Sequence, residues 1–184
     1  LAYYLNREEI RPFYNFRLFP NLKKLEITTF SVPLGPFVVD GFKELKNLED
    51  LHIDISNGCS YSHYIFKGFE HLPLLKKFVL ETEFIKSKEW VLLQEFLKSQ
   101  TELQSLTLAV LLDLKDQAAA RNKSQYLQEN THIENIIKDF QNKPSLRSLT
   151  LKSCVWSLEA LSKGFGHLTM KNQLQIFSFE ASDD

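Results

Sequence analysis

The chain has 184 residues, of which 43% are hydrophobic and 24% charged, which predicts one globular domain with a sizeable core. It has 22 Lys and Arg against 23 Asp and Glu, so it lacks the basic excess that accompanies binding to nucleic acid or to an anionic membrane. No apolar run approaches the roughly 20 residues of a membrane-spanning helix. Its two cysteines cannot form the disulfide framework of a small secreted domain, and we expect a cytoplasmic protein.

One pattern, Leu-x-x-Leu-x-Leu with Ile or Phe as substitutes, recurs along the chain. The first leucines of its six copies are separated by 26, 27, 28, 43 and 28 residues. Four of these five intervals agree within two residues, so we interpret the pattern as a structural repeat. The copies are NLKKLEI from Leu22, NLEDLHI from Leu48, LLKKFVL from Leu75, ELQSLTL from Leu103, SLRSLTL from Leu146 and QLQIFSF from Leu174.

Segments with one apolar helical face lie between these strand-like copies. In THIENIIKDFQNKP, Thr131 and Glu134 have the spacing of a capping box, and Lys143-Pro144 ends the pattern. Each unit is therefore a short strand followed by a helix, and stacked units share one core because neither element can bury its apolar side alone. The helical faces are Ile65, Phe69 and Leu72; Trp90, Leu93, Phe96 and Leu97; Ile133, Ile136, Ile137 and Phe140; and Leu158, Leu161 and Phe165.

The fullest copy, Leu146, Leu149, Leu151 and Cys154, resembles a leucine-rich repeat. The period and the helices are similar to the ribonuclease-inhibitor-like, intracellular subclass. This resemblance implies an α/β leucine-rich-repeat solenoid: a right-handed βα superhelix with a parallel sheet on its concave face and helices on its convex face. The chain departs from the family at the position that takes Asn or Cys, which only Cys154 fills; the other copies have Phe30, Ser56, Glu83, Leu111 and Ser182.

We expect residues 1–184 to form one domain of about six repeats. The chain lacks an initiator Met and its last copy has no helical segment after it, so we interpret it as a fragment of a longer chain. The 43-residue interval contains an insertion, which we assign to a loop at residues 111–130. Such a loop is either a solvated insertion or a partner-specific element, and in the second case its contact residues would be Arg121, Lys123 and Tyr126.

The resemblance also implies that the residues between the strand leucines face outward and bind a protein partner. In the first three repeats Lys and carboxylate side chains alternate from strand to strand, which would form either a self-neutralising ladder or a charged docking face. Toward the C-terminal end these positions become small and mostly uncharged. The candidate contact residues are Lys24, Glu26, Asp50, His52, Lys77, Val79, Thr107 and Thr150.

Catalytic signals are weak, because no nucleophile elbow, zinc-binding His-Glu-x-x-His or phosphate loop occurs. Cys59 and His63 could share a metal, but no second ligand pair follows at zinc spacing, so we expect neither a metal nor a cofactor.

The sequence therefore predicts a non-catalytic protein-protein interaction module or scaffold, with no nucleic acid, membrane or small-molecule substrate as its partner. The alternatives are a recognition arm of a larger ubiquitin-ligase adaptor or signalling protein, and an enzyme inhibitor. Richness in Phe, Lys, Ile and Asn is typical of an AT-biased genome, and a cytoskeletal or ciliary role is a further hypothesis.

Overall fold

A computed structural model describes residues 2–5, 16–30, 35–56, 63–83, 85–110, 123–153, 158–166 and 174–180. Within them, seven strands form one sheet in which every neighbouring pair is parallel and the order follows the chain. The strands are β1 (Ala2–Leu5), β2 (Lys24–Phe30), β3 (Asp50–Ser56), β4 (Lys77–Thr82), β5 (Ser105–Val110), β6 (Ser148–Ser153) and β7 (Ile176–Glu180).

Five α-helices alternate with these strands in the described residues, and consecutive helices contact each other in a row. Short 3-10 turns at Phe69–His71 and Phe140–Asn142 extend the second and fourth helices. The sheet and its connecting helices confirm an α/β fold with a parallel sheet. The helices are α1 (Phe37–Lys43), α2 (His63–Gly68), α3 (Ser87–Ser99), α4 (Lys123–Asp139) and α5 (Leu158–Gly166).

The repeat leucines form two rows in the core, each running across the sheet in exact strand register. Because alternate strand residues point to opposite faces, both rows lie on the face that the helices cover. From β2 to β6 every member is at most 1% exposed, which confirms the predicted strand alignment. The rows are Leu25, Leu51, Phe78, Leu106 and Leu149, and Ile27, Ile53, Leu80, Leu108 and Leu151.

Aromatic rings fill the space between the helices and the sheet. The ring of Phe69 is central: its centroid lies 5.4 Å from that of Phe66, 5.5 Å from Phe78 and 4.9 Å from Phe96. The Phe42 ring of helix α1 is nearly parallel to the Phe69 ring, and their centroids lie 6.3 Å apart. One side chain therefore joins three helices and a strand, with ring geometries that favour aromatic pairs.

Two elements differ from the sequence expectation. Strand β1 adds a seventh strand ahead of the first predicted repeat, in a stretch that lacks the leucine pattern. Helix α4 begins at Lys123 rather than near Thr131, so Thr131 and Glu134 lie inside the helix and residues 123–130 are helical rather than part of a loop. Residues 111–122, the rest of the predicted insertion loop, lie outside the described residues.

We expect Leu149→Ala to lower the free energy of unfolding by about 2–5 kcal/mol, because it leaves a cavity in a fully buried row between β5 and β7. Urea denaturation would measure the loss. Thr150→Ala is the matched control, since this half-exposed neighbour points to the opposite face and should cost far less. Equal stabilities of the two variants would contradict the assigned strand faces.

Gly68→Ala should cost about 1–3 kcal/mol by overpacking. Gly68 has helical backbone angles that alanine adopts readily, but a Cβ there would lie 2.6 Å from Cδ2 of the buried Phe42 ring. Gly166→Ala is the control, because a Cβ at that helical position meets nothing within 4 Å. Thermal melts of both variants would measure the difference in stability. A Gly68→Ala protein as stable as Gly166→Ala would show that the Phe42 ring moves aside without cost and would contradict the prediction.

Candidate functional site

The sheet face opposite the leucine rows carries the predicted contact residues. We call it the polar sheet face, and it consists of Lys24, Glu26 and Thr28 of β2 with their register partners on the next strands. Strand pairing places the candidates in two columns that cross β2 to β6, as the repeat alignment predicted. One column is Lys24, Asp50, Lys77, Ser105 and Ser148; the next is Glu26, His52, Val79, Thr107 and Thr150. A third column beyond these starts with Thr28, Asp54 and Glu81.

An ion-pair chain runs along the N-terminal ends of β2 to β4. The Glu49 carboxylate lies 3.0 Å from Lys23 Nζ through one oxygen and 2.7 Å from Lys76 Nζ through the other. The hydrogen bond from Lys76, followed by that from Lys23, lowers the pKa of Glu49 below its ordinary value. The predicted pairing of lysine with carboxylate across adjacent strands is confirmed here. Because these groups are exposed, the pairing neutralises the surface more than it stabilises the fold.

The adjoining column is less completely paired. Lys24 Nζ lies 4.0 Å from Asp50 Oδ2, at the limit of an ion pair, and Asp50 Oδ1 is inaccessible to solvent without a hydrogen-bond partner among the described residues. Lys77 is exposed and makes no ion pair within the part of the chain that the structure describes. The ladder therefore leaves a cation of β4 available to another molecule.

His52 lies between two carboxylates of neighbouring strands. Its Nδ1 is 3.8 Å from Glu26 Oε1 on β2, and its Nε2 is 3.9 Å from Glu81 Oε1 on β4. Both distances exceed a hydrogen bond, and Nε2 is inaccessible to solvent without a partner among described residues. Across β2 to β4 the polar sheet face thus carries its lysines, Lys24 and Lys77, at the N-terminal ends of the strands and becomes acidic further along, near Glu26, Asp54 and Glu81.

Toward β5 and β6 the polar sheet face carries mostly small, uncharged side chains, with Lys152 as a charged exception. Val79 is 9% exposed, and Thr107 and Thr150 follow it in register with their side chains half-buried. Small side chains with hydroxyl groups let another backbone approach closely and offer it hydrogen bonds. That this half of the face accepts an apolar or hydroxyl-bonding surface stays a prediction from the sequence.

The other predicted site residues lie either in helices or outside the described residues. Lys123 and Tyr126 belong to helix α4, so the expectation that they lie in a loop is wrong for them, whereas Arg121 lies outside the described residues. Cys59 also lies outside them, and His63 begins α2 on the helical side. In the described ranges, no group of three His, Cys, Asp or Glu residues is arranged to hold a metal ion.

One buried lysine was not indicated by any sequence pattern. Lys143 is 2% exposed, and its Nζ donates hydrogen bonds to the carbonyl oxygens of Leu97 and, at 3.0 Å, Gln100, at the end of helix α3. Gln100 is equally buried, and its Oε1 accepts the Leu75 amide at 2.6 Å. This chain of contacts joins the segments that precede β4, β5 and β6. The Lys143-Pro144 pair indicated only the end of a helix, because nothing local specifies a bond to residues more than 40 positions away.

No described helix is long and apolar enough to cross a membrane. Neither the protein-family models nor the curated proteins to which the chain was compared contain a match.

Lys143 should make stability depend on pH. Burial lowers its pKa from 10.5 to about 8, against the opposing effect of the Asp139 carboxylate. Between pH 8 and 10.5 the unfolded chain therefore binds more protons than the folded one, so this group adds stability as the pH rises, by up to about 1 kcal/mol per pH unit.

Urea denaturation at pH 7, 8, 9 and 10 would measure the free energy of unfolding of the natural chain and of Lys143→Met. The methionine keeps an apolar stem and cannot titrate. We expect the stability of the natural chain relative to this variant to grow from pH 8 upward. A constant difference over the whole range would show that the amine has an ordinary pKa.

Proposed function

We propose that this chain is a leucine-rich-repeat solenoid that acts as a non-catalytic protein-binding module, with the polar sheet face as its contact surface. The observation that carries the proposal is the register of that face. Polar and small side chains from successive strands align into continuous columns, while the helices and the leucine rows occupy the opposite side. An extended surface of this kind suits recognition of another macromolecule better than enclosure of a small substrate.

The connections support the superhelical form. A strand joined to its parallel neighbour through a helix makes a right-handed crossover in nearly all known cases. Parallel strands lie about 4.8 Å apart whereas packed helices need about 8–10 Å, so a row of such units bends with its strands on the inside. The polar sheet face is then the concave face of the solenoid.

The dimensions and charges support a protein partner. Strands β2 to β7 span about 24 Å, enough for a partner helix of about 10 Å diameter. A partner with acidic side chains over Lys24 and Lys77, and basic ones over Glu26 and Glu81, would complement the charges along the strands. Its smaller, uncharged part would lie over Thr107 and Thr150. Charge matching of this kind sets orientation and association rate more than affinity.

A photoreactive amino acid placed at Lys77, and separately at Val91, tests the proposal in extracts of the native cells. Val91 is the control, because it is 47% exposed on helix α3. We expect one recurrent protein to crosslink at position 77 and not at 91. The same protein crosslinked equally at both positions, or at 91 alone, would contradict the polar sheet face as the contact surface.

With that partner purified, Lys24→Glu combined with Lys77→Glu should weaken binding by roughly tenfold or more, chiefly through slower association at low salt. Lys138→Glu on helix α4 is the control for reversing a lysine charge away from that face, and it should bind like the natural chain. Surface plasmon resonance at two salt concentrations measures both quantities. Unchanged association in the double variant would contradict the charge component.

A further inference from the structure

A groove lies between α2 and α3, on the helical side and away from the polar sheet face. Its wide end is a cavity of about 590 Å³, within the range of small-molecule sites, and its lining includes Lys67, Lys88 and Leu92. A narrower cavity of about 190 Å³ shares Lys67, Glu70 and Leu92 with it and continues past Phe66 and Phe96. The two cavities therefore form one groove that has charged side chains at both ends and an apolar floor.

Two of the three lysines that line the wide end are available for binding. Lys67 and Lys88 are exposed, and neither forms an ion pair within the described ranges of the chain. Of the two carboxylates that line the same cavity, Glu89 is 1% exposed and accepts the Lys86 backbone N–H at 2.8 Å, while Glu70 lies 3.2 Å from His71 Nε2. The lining therefore has three lysines, Lys67, Lys86 and Lys88, against these two carboxylates, an excess of one positive charge.

The two ends of the groove differ in the charge they accept. From Lys88 to Phe96 is about 12 Å along the helix axis, and Leu92 lies midway on the same side. Glu95 lines the narrow end, so a second negative group would be repelled there. An occupant that fits both ends has one anionic head and an apolar body.

We propose that this groove binds a single-chain amphipathic anion of the fatty-acid type. The carboxylate lies between the ammonium groups of Lys67 and Lys88, and the hydrocarbon chain covers Leu92 and extends toward Phe66 and Phe96. Burial of the chain contributes most of the affinity, and the two lysines select an anionic head over a neutral or cationic one. This binding does not depend on a protein partner for the polar sheet face.

Titration of the isotope-labelled chain with octanoate, followed by amide NMR shifts, tests the proposal. Octylammonium is the matched probe, because it has the same chain length and the opposite charge. We expect octanoate to saturate one site with shifts concentrated in α2 and α3, and octylammonium to bind there at least about fivefold more weakly. Equal affinity for the two probes, or octanoate shifts confined to other elements, would overturn it.

Variants separate the groove from non-specific adsorption. Lys67→Glu and Lys88→Glu should each weaken octanoate binding by roughly five- to tenfold, whereas Lys138→Glu on α4 should leave it unchanged. All three lysines are exposed, and melting temperatures confirm that each variant is folded. A folded Lys88→Glu protein that binds octanoate as tightly as the natural chain would also overturn the proposal. Partner crosslinking at position 77 tests the polar sheet face independently of either result.

Discussion

The burial of apolar strand residues between neighbouring units is the constraint on which the rest of the structure depends. Leu149 is fully buried because β5 and β7 flank its strand and helices cover it, and none of these elements could bury its own apolar side alone. The requirement fixes strand register, since a slip of one residue would exchange the two faces. Fixing the leucines on one face also aligns the outward residues, so the polar sheet face is a consequence of core packing.

The helical side meets a different requirement. Helices need about twice the spacing of strands, so large side chains must fill the layer between them, and the ring of Phe69 does this for three helices at once. Helix α2 has 6 residues, extended by the 3-10 turn Phe69–His71, and its neighbour α3 has 13. The groove lined by Lys67 and Leu92 lies between these two helices of unequal length.

How far the sequence predicts the structure depends on how local each feature is. The leucine rows and polar columns were predictable, because alternation along a strand and a fixed period determine both. The start of α4 was not, since the residues after Lys123 are mostly polar and carry little apolar periodicity. Lys143 could not be found at all, because its burial depends on the carbonyl groups that end α3, 43 or more positions earlier in the chain.

The net charge predicts only what the chain as a whole would attract, and that expectation stays a prediction. A value of −1 argues against binding a polyanion, which needs a continuous excess of cations. At the N-terminal ends of β2 to β4 opposite charges partly cancel locally, since Glu49 pairs with both Lys23 and Lys76. Lys67 and Lys88 have no such ion-pair partner within the described residues. Their charges are cancelled in the net charge of the chain, but they still act on whatever binds beside them. A single anionic head needs only two of them, so a chain with almost no net charge can still select an anion at one groove.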